Sequence, residues 1–172
     1  MILYLVRHAK SSWAESGLSD HARPLNDRGR EDAPRMFERL RDSGTPPVRI
    51  VSSDAVRAAT TANLLRETLE LDSQDLCFEP GLYHAGVEEI VAAARALPDS
   101  APVAALVGHN PGMTYAANTL AENLELDNLP TCGIVGIAFD TSAWSQIGTG
   151  SLYYFDYPKN SDGPLIETAT NP

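Results

Sequence analysis

The sequence has few cysteines and no long apolar run, and each deficit excludes a class of protein. Its two cysteines, Cys77 and Cys132, cannot form the disulfide framework of a small secreted domain. No apolar run approaches the ~20 residues that cross a bilayer, and the apolar segment 2–6 is too short for a secretory signal. We therefore expect a reduced, soluble, cytoplasmic protein without a membrane partner.

Basic residues are scarce as well. The chain has 13 lysines and arginines against 23 acidic residues, which gives a net charge of −10. Nucleic acids and anionic membranes are bound through lysine and arginine, so this balance argues against both as partners. The cations crowd the start of the chain, at Arg7, Lys10, Arg23, Arg28 and Arg30. They are either scattered solvated surface or part of a site for an anion.

Short apolar runs alternate with helical periodicity along most of the chain. The runs that predict strands buried in a parallel sheet are 2–6, 48–52 and 102–107. Apolar residues recur at helical spacing between these runs, and Asn26, Asp54 and Asn110 are the predicted N-caps. This alternation predicts an α/β fold of three layers (α/β/α), with helices on both faces of a mostly parallel central sheet.

The C-terminal third is rich in strand-forming residues instead. Residues 134–139 and 152–157 predict a hairpin or edge pair, which adds antiparallel C-terminal strands to the sheet. The length of 172 residues fits a single domain, predicted over 1–157. The polar segment 158–172 is predicted to be a surface tail. We expect a monomer.

Two of the four histidines follow predicted strands. His8 comes after the first apolar run, and His109 comes after the run that ends at Val107. Ligands of open α/β sheets bind outside the carboxyl ends of the strands. Two histidines in matching positions on separate strands therefore favour a functional pair over two structural residues.

Two arginines indicate that this pair faces an anion. Arg57 falls in the first turn of the predicted second helix, where the dipole disfavours a cation by up to ~1 kcal/mol unless an anion is bound. Arg57 could instead pair with an acidic neighbour such as Asp54. Arg7 lies between a buried strand and His8, where a guanidinium suits phosphate oxygens. Two flanking arginines argue against a zinc ion, so we expect no metal and no other cofactor.

Four motifs together resemble those of the histidine phosphatase superfamily. They are Arg7-His8-Ala9, the segment from Arg23 to Gly29, the segment from Ser52 to Thr60, and the segment from Val107 to Pro111. The likeness is closest to the short branch of SixA-type phosphohistidine phosphatases. It implies a phosphoglycerate mutase-like fold with His8 as the phosphorylated nucleophile. By the same resemblance, Arg7, Arg57 and His109 bind the phosphoryl oxygens.

Two positions depart from the family pattern. Ala9 replaces the glycine of the family's Arg-His-Gly triplet, and its small methyl group is expected to be tolerated. The glutamate that protonates the leaving group in mutase-like relatives has no clear counterpart. His84 is the nearest candidate for that role, and Glu79, Glu88 and Glu89 are the alternatives. An ordinary loop role for His84 stays open.

The predicted activity is a metal-independent phosphatase with a phosphohistidine intermediate. A weak or absent proton donor favours good leaving groups, so a phosphohistidine protein is the leading substrate. The alternative is a small phosphorylated metabolite, such as a sugar phosphate or nucleotide, hydrolysed at the same site. A non-catalytic phosphate-binding module is a third reading. Arg23 either reads the substrate at the rim of the pocket or anchors its own loop.

Overall fold

The computed structural model describes residues 1–14 and 17–166 and contains one seven-stranded sheet. Its strands are β1 (Ile2–Arg7), β2 (Arg49–Ser52), β3 (Leu76–Phe78), β4 (Val103–Gly108), β5 (Ile134–Ala138), β6 (Ser151–Asp156) and β7 (Leu165–Ile166). Its α-helices are α1 (Asp27–Asp42), α2 (Val56–Thr68), α3 (Val87–Arg95) and α4 (Gly112–Leu120). None of the helices in the described ranges has the length and apolar character to cross a membrane.

The strands are arranged in the order β3-β2-β4-β1-β5-β6-β7. The strands β3, β2, β4 and β1 run parallel, whereas β5, β6 and β7 each pair antiparallel with the strand before them in this order. The predicted mostly parallel sheet and its antiparallel C-terminal hairpin are therefore confirmed. The parallel half brings the carboxyl ends of β2, β4 and β1 to one edge.

Side chains of β1 alternate between two covered faces of the sheet. Leu3 and Leu5 pack in one buried cluster with residues of α3 and α4. Tyr4 and Val6 pack in a second cluster with residues of α1 and α2. Because helices cover both faces, this central strand is apolar at every position of the run rather than at alternate ones. The prediction of three layers is confirmed.

The first two predicted helix starts have different outcomes. Asn26 caps α1, since its side chain accepts a hydrogen bond from the N–H of Gly29 at 2.9 Å. Asp54, in contrast, does not cap α2, because Ala55 holds the N-cap position without a side-chain hydrogen bond. The Asp54 carboxylate instead lies 3.0 Å from the Nε2 atom of His21. The carboxylate oxygen of Asp54 that could cap the helix contacts His21 instead, a residue distant in sequence.

The predicted cap of the last helix is also wrong. The helix α4 begins at Gly112, and Pro111 holds the N-cap position. The side-chain amide of Asn110 donates to the carbonyl oxygen of Leu129 at 3.1 Å. Asn110 therefore ties the end of β4 to the loop before β5.

The sheet continues beyond residue 157, where the tail is predicted to begin. The strand β7 pairs with β6 through Tyr154 with Ile166 and through Phe155 with Leu165. Leu165 and Ile166 are exposed, so this short strand forms an edge at the surface. The remainder of the predicted tail, residues 167–172, lies outside the described residues.

Candidate active site

The register of the sheet brings the two predicted histidines together. Arg7, the last residue of β1, pairs with Gly108, the last residue of β4. His8 and His109 therefore leave adjacent parallel strands at the same level, and their ring centroids lie 5.1 Å apart. Ser53 leaves the neighbouring strand β2 at this same edge of the sheet.

His8 is a buried and neutral imidazole. Its Nδ1 lies 2.7 Å from the carbonyl oxygen of Ala9, which can only accept, so Nδ1 carries the ring proton. Burial lowers the pKa of His8 to about 4, with support from the charges of Arg57 and Arg7 and against the Ala9 hydrogen bond. At neutral pH the Nε2 atom therefore carries no proton, the state that a nucleophile needs, and its lone pair accepts a hydrogen bond from Arg57 Nε–H.

The turn after His8 accommodates alanine in place of glycine. Ala9 is fully buried, and its backbone does not adopt the left-handed conformation that favours glycine. Its N–H donates to Thr61 Oγ1 at 3.0 Å, and the Thr61 hydroxyl donates to the carbonyl oxygen of Arg57 at 2.7 Å. These two bonds fix the turn to the beginning of α2.

His109 is the second buried imidazole. Its Nε2 lies 2.9 Å from Ser53 Oγ, which already accepts from the N–H of Ala55 at 3.3 Å. When the Ser53 hydroxyl donates its proton to Nε2, the ring proton of His109 lies on Nδ1. That Nδ1 is buried, and no described residue hydrogen-bonds it. Burial, then the neighbouring His8 and Arg57, lower the pKa of His109 to about 3, so the ring is a neutral donor at neutral pH.

Arg57 enters the pocket from the first turn of α2 and is only 4% exposed. Its Nε lies 3.3 Å from the Nε2 atom of His8. Its two terminal nitrogens donate to the backbone carbonyl and to the carboxylate of Asp20, the latter at 2.8 Å. The acidic partner of Arg57 is therefore Asp20 and not Asp54.

Asp20 is missing from the site predicted by the sequence. Besides Arg57, its carboxylate accepts hydrogen bonds from Arg23 at 2.7 Å and from Tyr83 at 2.8 Å. Burial raises the pKa of the Asp20 carboxyl, but the bonds from the phenol and the two guanidinium groups outweigh it and hold that pKa well below its usual range. The group is ionised at neutral pH. Its only sequence signal was an acid three residues before Arg23.

Arg7 lies at the border of the pocket. Its Nη1 donates to the carbonyl oxygen of Leu129 at 2.7 Å and to Asn128 Oδ1 at 3.3 Å. Its Nε is buried and finds no partner among the described residues. The charge of Arg7 contributes to the low pKa of His8, but its guanidinium rests on the loop before β5.

Arg23 anchors its own loop, which is one of the two predicted roles. Its Nε donates to the carbonyl oxygen of Ser12 at 3.1 Å, and its guanidinium carbon lies 3.3 Å from the ring centroid of the exposed Trp13. These residues and Asp20 line a small cavity of about 110 Å³. Arg23 joins the pocket through its bond to Asp20.

His84 lies at the mouth of the pocket. Its Nε2 is 3.8 Å from Asp20 Oδ2, its ring centroid is 6.2 Å from that of His109, and 63% of its side chain is exposed. Its backbone adopts the left-handed conformation, with a φ of 57°. Of the residues considered as proton donors, it is the one that the structure brings to the site.

The glutamates considered for that role are engaged elsewhere. Glu79 accepts from the N–H of Gly81 at 3.0 Å, and Glu89 accepts from the N–H of Gly86 at 2.9 Å. Glu88 is exposed in the first turn of α3. In the part of the chain that the structure describes, no three His, Cys, Asp or Glu side chains converge as a metal ion would require.

Two sequence comparisons agree with this geometry. Residues 3–83, which contain Arg7, His8 and Arg57, match the histidine phosphatase superfamily (branch 1). An uncharacterised chloroplastic protein of Arabidopsis thaliana is 31% identical over 153 residues, which cover 84% of this chain and 69% of the relative.

Solved structures share the architecture. An Agrobacterium tumefaciens protein assigned as the phosphohistidine phosphatase SixA is 28% identical, with a TM-score of 0.71 over 81% of this chain and 91% of that one. The protein histidine phosphatase SixA complexed with tungstate is 23% identical, with a TM-score of 0.77 over 92% and 97% of the two chains. The expected phosphoglycerate mutase-like fold is confirmed. The chain belongs to the histidine phosphatase superfamily, branch 1.

Proposed function

We propose that the protein is a metal-independent phosphatase in which His8 Nε2 takes the phosphoryl group from the substrate and passes it to water. The observation that carries this proposal is the buried, neutral His8 ring. Its Nδ1 is held by a backbone carbonyl while its Nε2 faces the guanidinium of Arg57. A histidine that served only packing would gain nothing from presenting a lone pair to a buried cation.

In the first step, the His8 Nε2 lone pair attacks phosphorus, and the bond to the leaving group breaks with its electrons going to that group. The Nδ1 proton stays bonded to Ala9 and stabilises the positive charge that develops on the ring. Arg57 Nε–H and His109 Nδ1–H donate to the phosphoryl oxygens. Because the transition state is loose, such positioned donors supply most of the acceleration. In the second step, a water oxygen attacks phosphorus, the P–Nε2 bond breaks with its electrons returning to His8, and inorganic phosphate leaves with the protons of the water.

Two features support an oxyanion in this pocket. The buried Nδ1 of His109 has no acceptor among the described residues, and a phosphoryl oxygen would satisfy it. The related SixA structure was obtained with tungstate, which is an oxyanion like phosphate.

We infer that the substrate is a phosphohistidine in a protein. Asp20 is ionised, and Glu79 and Glu89 bond backbone N–H groups elsewhere, so none of these described carboxyl groups offers a proton beside His8. A phosphorylated imidazole leaves without the strong acid that an alkoxide requires. The two SixA relatives are named as phosphatases of phosphohistidine. The cysteines Cys77 and Cys132 are free, which fits a reducing compartment such as the cytoplasm.

A phosphatase for a small phosphorylated metabolite is the second candidate. His84 favours it, because a protonated ring at the mouth of the pocket would supply a proton to an alkoxide leaving group. A non-catalytic phosphate-binding module is disfavoured, because such a module needs no nucleophile in the position of His8.

Turnover of a phosphohistidine protein, a sugar phosphate and p-nitrophenyl phosphate in the presence of EDTA tests the proposal. The wild type is expected to hydrolyse the phosphohistidine protein fastest and to lose nothing to the chelator. His8→Ala is expected to abolish all three activities, and the matched variant His21→Gln is expected to retain them, because His21 pairs with Asp54.

Three results of this experiment would contradict parts of the proposal. Wild-type turnover by a natively folded His8→Ala variant would remove His8 as the nucleophile. Inactivation by EDTA would show that the reaction requires a metal ion and would contradict the metal-independent mechanism. A preference for the sugar phosphate would favour the second candidate.

A further inference from the structure

Both lysines of this chain line one cavity. Lys10 and Lys159 are the only lysines in the sequence, and they stand near its opposite ends. They meet at a cleft of about 390 Å³, whose wall also includes Arg7, Arg28 and Asp32. In a chain with far more acidic than basic residues, this local excess of positive charge is not what random placement of surface lysines produces.

The charge of the cleft is only partly neutralised. Asp32, the acidic residue in its wall, is shared between Arg28 at 3.2 Å and Arg35 at 2.7 Å. Lys10 and Lys159 are exposed, and neither forms an ion pair with any residue that the structure describes. Two ammonium groups therefore face the cleft without an ion-pair partner among the described residues.

The backbone that carries Lys10 is held against α1. The carbonyl oxygen of Lys10 accepts from the N–H of Asn26, and a Cβ added at Gly29 would collide with that same oxygen. Lys10 thus packs directly against the beginning of α1. Arg28 lies in the first turn of this helix, where the dipole disfavours a cation unless an anion is nearby. The position of the cleft is therefore fixed relative to β1 and α1.

Arg7 connects the cleft to the proposed phosphoryl pocket. It precedes His8 in the chain, and its guanidinium rests on Asn128 and Leu129 in the loop that also borders the cleft. We propose that the cleft is a second anion subsite, which binds a carboxylate or phosphate group of the same substrate molecule whose phosphoryl group reaches His8. This inference rests on the proposed function. An acidic residue that flanks a phosphohistidine and a second phosphate on a small metabolite are the two sources of such an anion.

Matched substrate pairs test the subsite. One pair consists of phosphohistidine peptides whose flanking residues are glutamate in one and glutamine in the other. The second pair is butane-1,4-diol bisphosphate and butyl phosphate. The wild type is expected to prefer the more anionic member of at least one pair by about fivefold in kcat/KM, as unscreened surface charges allow, and added salt should weaken this preference.

The double variant K10Q/K159Q is expected to bring the preferred ratio, counted per phosphoryl group because the bisphosphate carries two, close to one. The control R41Q/R66Q also removes two positive charges, at positions in α1 and α2 that do not line the cleft. It is expected to keep the wild-type ratio. Preference within the peptide pair alone identifies an acidic protein segment as the source of the anion, and preference within the bisphosphate pair alone identifies a metabolite. Equal rates per phosphoryl group within both pairs, or a ratio that K10Q/K159Q leaves unchanged, would overturn the subsite.

A binding measurement separates this inference from the proposed function. Calorimetric titration of the inactive His8→Ala variant with the glutamate and glutamine peptides reports the subsite without turnover. If the wild type hydrolyses none of the substrates, the phosphatase proposal fails, and tighter binding of the glutamate peptide still supports the subsite. If the two peptides bind equally and the bisphosphate binds no tighter than butyl phosphate, the subsite itself is refuted.

Discussion

The edge of the sheet and the loop between β1 and α1 both supply residues to the pocket, but they hold them differently. His8 and His109 each directly follow a strand, are almost fully buried, and take their positions from the β1–β4 register. The loop supplies Asp20 and Arg23, which are held by side-chain bonds to each other and to Arg57, and 40% of the Asp20 side chain is exposed. The groups proposed to react are held by the sheet and the helices that pack on it, which we call the rigid frame. The groups that orient them lie on the loop between β1 and α1.

Apart from the complete loss expected for His8→Ala, the largest effect is expected for Arg57, which belongs to the rigid frame. Arg57→Ala should lower kcat/KM by about 100- to 1000-fold, because loss of one preorganised donor costs about 2.7–4 kcal/mol in the transition state. Steady-state kinetics with p-nitrophenyl phosphate measure this loss. Arg66→Ala, on the same helix, is the control. An effect smaller than tenfold would place Arg57 outside the pocket and remove the distinction between frame and loop.

A stability measurement sharpens the comparison on the side of the frame. The pKa of His8 is about 4 in the folded protein and ~6.5 in an unfolded chain, so the unfolded state takes up the proton first as the pH falls. The contribution of the neutral His8 ring to the free energy of unfolding is therefore fully present above pH ~6.5 and is lost as the pH falls towards 4. At pH 5 this loss amounts to about 2 kcal/mol.

Urea unfolding at pH 7.5 and at pH 5 tests this statement. The wild type should lose more stability between the two pH values than His8→Asn does, because the variant lacks the titrating ring. His109→Asn should behave in the same direction, since burial also lowers the pKa of His109. An identical pH dependence in the wild type and both variants would mean that the rings are not buried as described.

On the side of the loop, Asp20→Ala should lower kcat/KM about tenfold, mainly through kcat. The carboxylate bonds Arg57 and Arg23, and hydrogen bonds to charged groups are worth about 1.5–3 kcal/mol, of which solvent exposure removes a part. Asp42→Ala serves as the control, since Asp42 is exposed at the end of α1 and pairs with Arg41. A higher kcat/KM in Asp20→Ala would instead show that the carboxylate competes with the substrate for Arg57.

The smallest effect is expected for Ser53, which acts through His109. Ser53→Ala should lower kcat about fivefold, because its hydroxyl selects the His109 tautomer and such a bond is worth about 1 kcal/mol. Ser53→Thr should restore the rate. Nitrogen NMR of His109 provides a readout that packing alone would not change. If the ring proton stays on Nδ1 in Ser53→Ala, Ser53 has no orienting role.

The features that follow from the sheet could be predicted from the sequence. The apolar run before His8 and the one before His109 indicated buried strands, and parallel strands bring their ends to a common edge. Asn26 could be identified as a cap because its hydrogen bond to Gly29 is local. Periodicity and local turns are properties that a single sequence displays.

The features that depend on distant partners could not be predicted. Asp54 and Asn110 resemble helix caps in sequence, but His21 and Leu129 take their polar atoms instead. Asp20 lies in a loop without periodicity, and its contacts with Arg57 and Tyr83 depend on how that loop folds over the pocket. No local sequence pattern indicates such a contact between residues that lie far apart in the chain.

The pairing of Arg7 with Gly108 limits how this chain can change in length. One residue inserted within β1 would exchange the two faces of the strand, so that Leu3 and Leu5 would trade layers with Tyr4 and Val6. Insertions in the loop that carries Asp20 involve no such exchange, because the pairing described there is one isolated bridge between Ser11 and Leu25, which closes the loop at any length. Relatives of this protein should therefore vary in length between β1 and α1, and hardly at all within the strand that ends at His8.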